Sequence, residues 1–159
     1  MPKGRWMLIR TEHKCENLLL EVQPVQRFVR STWNGVFVGE RYRALLQRVL
    51  DLVERDDLRY WLTDARRAGA IRDEDQAWTM REFTPKVMRA GIERIAIVGS
   101  EDPDNAQAVD RFVSSTPAEA PYAIRFFEDP SIAMLWLLQR RPVRDVIRDA
   151  GLRSAGAGT

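Results

Sequence analysis

The residues with reactive chemistry to offer are few. The chain has one histidine, His13, and one cysteine, Cys15, two positions apart. A thiol becomes a nucleophile beside a base or a positive charge. Here the flanking Glu12, Lys14 and Glu16 describe an exposed polar stretch instead. Single copies also exclude a disulfide within the chain, an all-His/Cys metal centre and any mechanism that needs two histidines. Ser100, Ser114 and Ser115 have no base nearby in sequence, and G-x-S-x-G is absent. The segment Gly99-Ser100-Glu101-Asp102-Pro103 has one glycine and no lysine, so it fails as a phosphate loop, and no G-x-G-x-x-G occurs. Asp73-Glu74-Asp75 diverge around one turn and suit a helix N-terminus better than a cation. No catalytic residue, metal ligand or cofactor is assigned.

Binding chemistry remains. Asp64, Arg66 and Arg67 make the most polar cluster. Arginine reads carboxylate or phosphate in a bidentate fork, and Asp64 would orient one such fork by an ion pair. The alternative is that Asp64 holds a turn through backbone hydrogen bonds while both arginines stay solvated. Trp78 stands just off the apolar stripe of its helix, which suits a pocket wall, an interface or the core. Together with Ser100, these four are the candidate ligand- or partner-binding residues.

The elements that must position them are read from pattern. The sequence has 159 residues and is 45% hydrophobic, enough for one packed domain. Lys plus Arg is 25 against 23 for Asp plus Glu, a net charge of +2 that gives no argument for a nucleic-acid partner. No apolar run approaches the ~20 residues of a membrane span, and the first apolar stretch is too short for a signal peptide. With a lone thiol, the expected location is the cytoplasm.

Residues 1–16 read as a polar N-terminal arm. Two β-prone runs, 17–22 and 27–33, flank Gln23-Pro24 as an antiparallel pair. Tyr42, Leu45, Leu46, Val49 and Val53 share one face of a helix. Tyr60-Trp61-Leu62 is a short buried strand, followed by a polar loop over 64–69. A second helix begins near Asp73, with Met80, Phe83, Val87 and Met88 inward, and Pro85 is expected to kink or restart it with Thr84 as a local cap. Gly91 stops it. Ile95–Val98 is a core strand, a third helix starts near Asn105, and 122–127 is the last strand. Asp129-Pro130 open a fourth helix as N-cap and first residue. Residues 142–152 carry a fifth helix packed on the 17–141 domain, and 153–159 are a disordered tail. The expected class is α/β: a mixed, mostly parallel five-stranded sheet flanked by four to five helices.

Several segments between Thr32 and Gln139 resemble a known family. They are Thr32-Trp33-Asn34-Gly35, Tyr60-Trp61-Leu62-Thr63-Asp64-Ala65-Arg66, Glu74-Asp75-Gln76-Ala77-Trp78, Phe83-Thr84-Pro85, Gly91–Val98 and Ile124–Phe127. This pattern, over about two-thirds of the chain, is similar to the bacterial STAS/SEC14-like domains of the SpoIIAA-like superfamily. The resemblance implies a mixed sheet alternating with helices. Anti-sigma-factor antagonists of that superfamily are switched by phosphorylation of a loop serine or threonine. The matching loop, 64–69, has no hydroxyl residue, so the switch does not carry over. The SEC14 side implies binding of a lipid or other hydrophobic molecule, for which this chain is short. The expectation is a non-enzymatic interaction or sensing module that binds a protein, a second copy of the chain included. The alternative is a binding protein for a small anionic or amphiphilic ligand.

Overall fold

Six strands lie side by side in chain order: β1 (Arg10–Lys14), β2 (Leu18–Gln23), β3 (Phe28–Gly35), β4 (Tyr60–Ala68), β5 (Arg94–Val98) and β6 (Ala123–Phe127). β1 and β3 each run antiparallel to β2, and β3 to β6 are parallel. The computed structural model describes residues 9–139. The helix expected at 142–152 and the tail at 153–159 lie outside the described residues. Among those described, no helix is long and apolar enough to cross a membrane.

The sheet has six strands instead of five because Arg10–Lys14, expected in the arm, pairs along β2. Without it β2 would present a row of unpaired backbone groups. Its own residues are polar because an edge strand keeps much of its surface in water. Cys15 and His13 are accordingly half-buried, and the Arg41 guanidinium lies 3.7 Å from the Cys15 sulfur.

One face of the sheet packs under α1 (Gly39–Arg55), α2 (Asp73–Trp78), α3 (Thr84–Arg89) and α4 (Pro103–Ser114); the other carries α5 (Pro130–Leu137). Strand alternation divides the side chains. Val29, Trp33, Trp61, Ile95 and Ile97 join the larger core with Leu45, Val49 and Val53 of α1. Phe28, Leu62, Ala96 and Val98 meet Ala133, Trp136 and Leu137 of α5. Arg94 anchors that helix: its Nη1 donates to the carbonyls of Trp136, Leu137 and Gln139, at a helix C-terminus where positive charge is favoured.

Between α2 and α3 the helix continues through a π turn, Thr79–Phe83. The Thr84 N–H donates to the Thr79 carbonyl, five residues back. Pro85 explains the widening, since its ring lacks an N–H and would crowd the preceding turn of a regular helix. Thr84 is therefore a helical residue and not the expected cap, and Met80 faces outward instead of joining the buried stripe. Gly91 does end the helix, at φ +84°.

Two buried indoles share one hydroxyl. Ser31, fully enclosed, accepts from Trp33 Nε1 at 3.1 Å and Trp61 Nε1 at 2.9 Å, while Trp33 Nε1 also reaches Thr63 Oγ1 at 3.0 Å. Trp33 thus has a second acceptor and Trp61 does not. Ser31→Ala should destabilise the fold by about 1–3 kcal/mol, the cost of an unpaired buried donor. Thr63→Val should cost less, because Trp33 keeps Ser31. Denaturant unfolding of the two variants checks this, and equal losses would sink it.

Candidate functional site

The site is built on an irregularity in β4. Thr32 pairs with Asp64, yet Asn34 pairs with Arg67, so β4 spends three residues where β3 spends two. This is a β-bulge, and it resets which side chains face which layer. Ala65 before it and Ala68 after it both face the helices, whereas an unbulged strand would send Arg67 there. The segment expected as a polar loop is therefore strand, held to its end by Gly35 pairing with Ala68. Beyond it the chain must pass close to β3: a side chain on Gly69 would lie 2.5 Å from Val36 Cγ2.

Small residues at these positions leave room. A cavity of about 180 Å³ lies between the sheet and the helices. Its floor is Trp33, Trp61, Thr63, Ala65, Ala68, Ile95 and Ile97, and α4 contributes Asn105, Val109, Phe112 and Val113. Thr79 and Phe83 of the π turn and Thr84 and Val87 of α3 form its roof. No charged side chain lines it among the described residues.

An aromatic chain frames the cavity. Trp33 stacks on Phe37 at 5.5 Å, Phe37 on Tyr42 at 5.6 Å, Tyr42 meets Trp78 edge-on at 6.3 Å, and Trp78 stacks on Phe83 at 5.9 Å. Trp78 is thus the link between α1 and the roof. It is half-buried, outside the cavity wall, with the Arg43 guanidinium 5.6 Å from its ring centre. Tyr42 and Thr79 close a buried polar relay. The Thr79 hydroxyl donates to the Asp75 carbonyl at 2.7 Å, so the Tyr42 hydroxyl, 2.8 Å away, is the donor to Thr79. Burial pushes the Tyr42 hydroxyl up to about 12; the Thr79 bond opposes this and the Asp75 charge adds to it.

Asp75 holds the roof to α1. Its buried carboxylate accepts from the Gly39 N–H at 2.9 Å, with the Arg43 and Arg72 guanidinium groups at 3.7 Å. Gly39, at φ +62°, provides the left-handed turn that presents this N–H. The acidic run therefore supplies a bond between helices through Asp75, and Arg72 precedes the helix without capping it through its side chain.

The other candidate residues face away from the cavity. Asp64 lies on the α5 side of the sheet, buried, and grips Arg66 in a fork: Nε to Oδ1 at 3.0 Å and Nη2 to Oδ2 at 2.8 Å. The Arg66 backbone N–H also donates to Oδ1 at 3.2 Å, and Arg30 stands 3.6 Å away. Asp64 thus combines the ion pair with one backbone hydrogen bond, but in a strand and not a turn, and Arg66 is paired where the second alternative had it solvated. The Arg67 side chain is exposed and has no hydrogen bond or ion pair among the described residues. Ser100 is a clasp. Its hydroxyl donates to the Ala68 carbonyl at 2.6 Å and accepts from the Asp102 N–H at 3.0 Å. Glu101 N–H to the Arg66 carbonyl, at 3.1 Å, completes a seam between the end of β4 and the β5–α4 connection. The structure brings Asp64, Arg66 and Ser100 to this seam, with Trp78 elsewhere.

The cavity wall was not anticipated. Its signal in the sequence was the run Ala68-Gly69-Ala70 after Ala65, small residues where a buried strand usually carries large ones.

No known protein-family model matches the sequence, and no curated protein does. Solved structures do match in shape. An uncharacterized protein of the DUF3478 family with a SpoIIAA-like fold, from Shewanella loihica PV-4, superposes with a TM-score of 0.51 at 17% identity, over 82% of this chain and 92% of that one. SiaC of Pseudomonas aeruginosa gives a TM-score of 0.46 at 16% identity, over 76% of this chain and 100% of that one.

The Asp64–Arg66 pair has a pH signature. Burial alone would raise the Asp64 carboxyl. Hydrogen bonds from the Arg66 side chain and backbone outweigh it, and with the charges of Arg66 and Arg30 they hold the group below its usual range. A lowered folded value means that the pair contributes fully above the unfolded pKa of about 4, and that this is lost as pH falls through the folded value. Arg66→Gln should raise the Asp64 titration midpoint, followed by carboxyl ¹³C NMR, and move acid unfolding to higher pH. An unchanged Asp64 midpoint would refute the assignment.

Proposed function

Starting from a chain with a SpoIIAA-like fold, we propose that it is a binding module for a small, neutral, largely apolar molecule held in the cavity beneath α2–α4. The carrying observation is the cavity itself: about 180 Å³, walled by aromatic and aliphatic side chains with no charge among the described residues. A buried apolar void of about 150 Å³ binds benzene, and this cavity, partly open to solvent, has the volume for a ligand of one or two small rings or an equivalent alkyl chain.

This reading narrows the alternative of an anionic or amphiphilic ligand. A carboxylate or phosphate here would be desolvated with no cation to meet it, and Arg66 is already paired with Asp64 on the opposite face. Binding without chemistry is supported by the lining. Its titratable members are Tyr42 and Tyr122, phenols protonated at neutral pH that burial pushes further up. A sensing role fits the roof, because the π turn that contacts the cavity through Thr79 and Phe83 shows Met80 to solvent on its outer side. π turns are a costly irregularity found often at functional sites.

Toluene is a suitable probe. It should raise the thermal midpoint in a concentration-dependent way and shift the amide NMR signals of β4, β5 and α4. Val113→Phe, which fills the cavity from α4, should weaken toluene binding at least tenfold while the far-UV circular dichroism stays native. Arg66→Gln should leave toluene binding intact. If toluene neither shifts signals nor stabilises the wild-type protein, the reading fails.

A further inference from the structure

The cavity wall holds one buried acceptor that the fold leaves unused. Asn105 sits in the first turn of α4, is 3% exposed, and lines the cavity. Its Nδ2 donates to the Gly69 carbonyl at 2.8 Å. That bond fixes the orientation of the amide, because the flipped form would set two acceptors against each other. The second N–H of the amide is uncommitted, and Oδ1 is buried with no hydrogen-bond partner among the described residues.

Apart from the half-exposed Thr84 hydroxyl, the other polar side chains of the wall are engaged. The Tyr42 and Thr79 hydroxyls bond in series to a carbonyl, Thr63 accepts from Trp33, and Thr116 donates to the Phe112 carbonyl at 3.0 Å. An unpaired buried acceptor costs stability and calls for an explanation such as a missing water or ligand. Position excludes a capping role, since the α4 cap is Asp102, which accepts from the Asp104 and Asn105 backbone N–H groups. The Asn105 side chain instead joins the cavity to the end of β4 through Gly69.

Resting on the binding reading above, we infer that the cavity selects a neutral molecule carrying one N–H or O–H donor, which it gives to Asn105 Oδ1. The class is that of phenols, indoles and short alcohols: an apolar body sized to the cavity with a single donor at its edge. A donor is required because Oδ1 can only accept. Neutrality follows because a cationic donor would find no counter-charge in the wall.

Indole and indene share shape and apolar area and differ in the N–H, so they isolate the inference. By calorimetry or NMR titration, indole should bind the wild-type protein about five- to tenfold more tightly than indene, the worth of one net hydrogen bond. Asn105→Leu should erase that preference. Because this variant also loses the Gly69 bond, a readout in the unaltered protein accompanies it: the Asn105 side-chain amide signal should move with indole and stay with indene. Equal binding of both by the wild-type protein would overturn the inference and leave the binding reading standing; Oδ1 is then served by water or by rearrangement. Binding of neither would overturn the binding reading and the inference with it.

Discussion

The extra residue in β4 is the constraint on which the site depends. A strand alternates its side chains, so one added residue exchanges the two faces for everything beyond it. Here the exchange keeps Arg67 out of the layer beneath the helices and puts Ala68 there. Asp64 and Arg66, two residues apart, share the far face of the sheet and pair there. An apolar cavity on one face therefore lies opposite a paired charge cluster on the other. Gly69 then lets β4 leave the sheet against Val36, where a side chain would not fit.

Keeping a void open requires walls that do not collapse into it. The floor is fixed by the Ser31 hydroxyl, which holds both indoles in place. The roof is held off the sheet from two directions. Asp75 ties α2 to the start of α1, and the ring sequence from Trp33 to Phe83 spans from floor to roof. Across the outside, Arg111 of α4 donates to Gln76 of α2 at 3.1 Å. Aromatic pairs of this kind contribute about 0.5–1.5 kcal/mol each beyond area burial, and their geometry is specific enough to hold a spacing. Pro85 adds the last element, since the π turn it imposes widens the helix where Thr79 and Phe83 meet the cavity.

Much of the architecture was legible. The i, i+3, i+4 spacing of Tyr42 to Val53 placed α1, the unbroken run Ile95–Val98 placed a strand covered on both faces, and Asp129-Pro130 placed the start of α5, where Asp129 does accept from the Ser131 N–H. The failures share a cause. Arg10–Lys14 and Asp64–Ala68 are strands without the alternating apolar pattern, one because it lies at a sheet edge, the other because a bulge breaks its period. Their pairing is decided by β2 and β3, not by their own residues. The candidate residues were legible as polar groups, but which of them would meet was not. Asp64 and Arg66 pair within two positions, whereas Trp78, Phe83 and Tyr42 meet only once two helices dock.

The sequence by itself determined the fold class and the order of elements from β2 onward, because hydrophobic period, turn residues and helix caps are local signals that act within a few residues. It also limited the chain to one histidine and one cysteine, neither of which lines the cavity. Only the tertiary structure decided that small side chains on β4, large ones on β5 and α4 and a widened helical turn enclose a common space. Tertiary packing also left Asn105 Oδ1 without a partner in its wall. A cavity is a property of surfaces that fail to meet, and residues far apart in the chain define it only together.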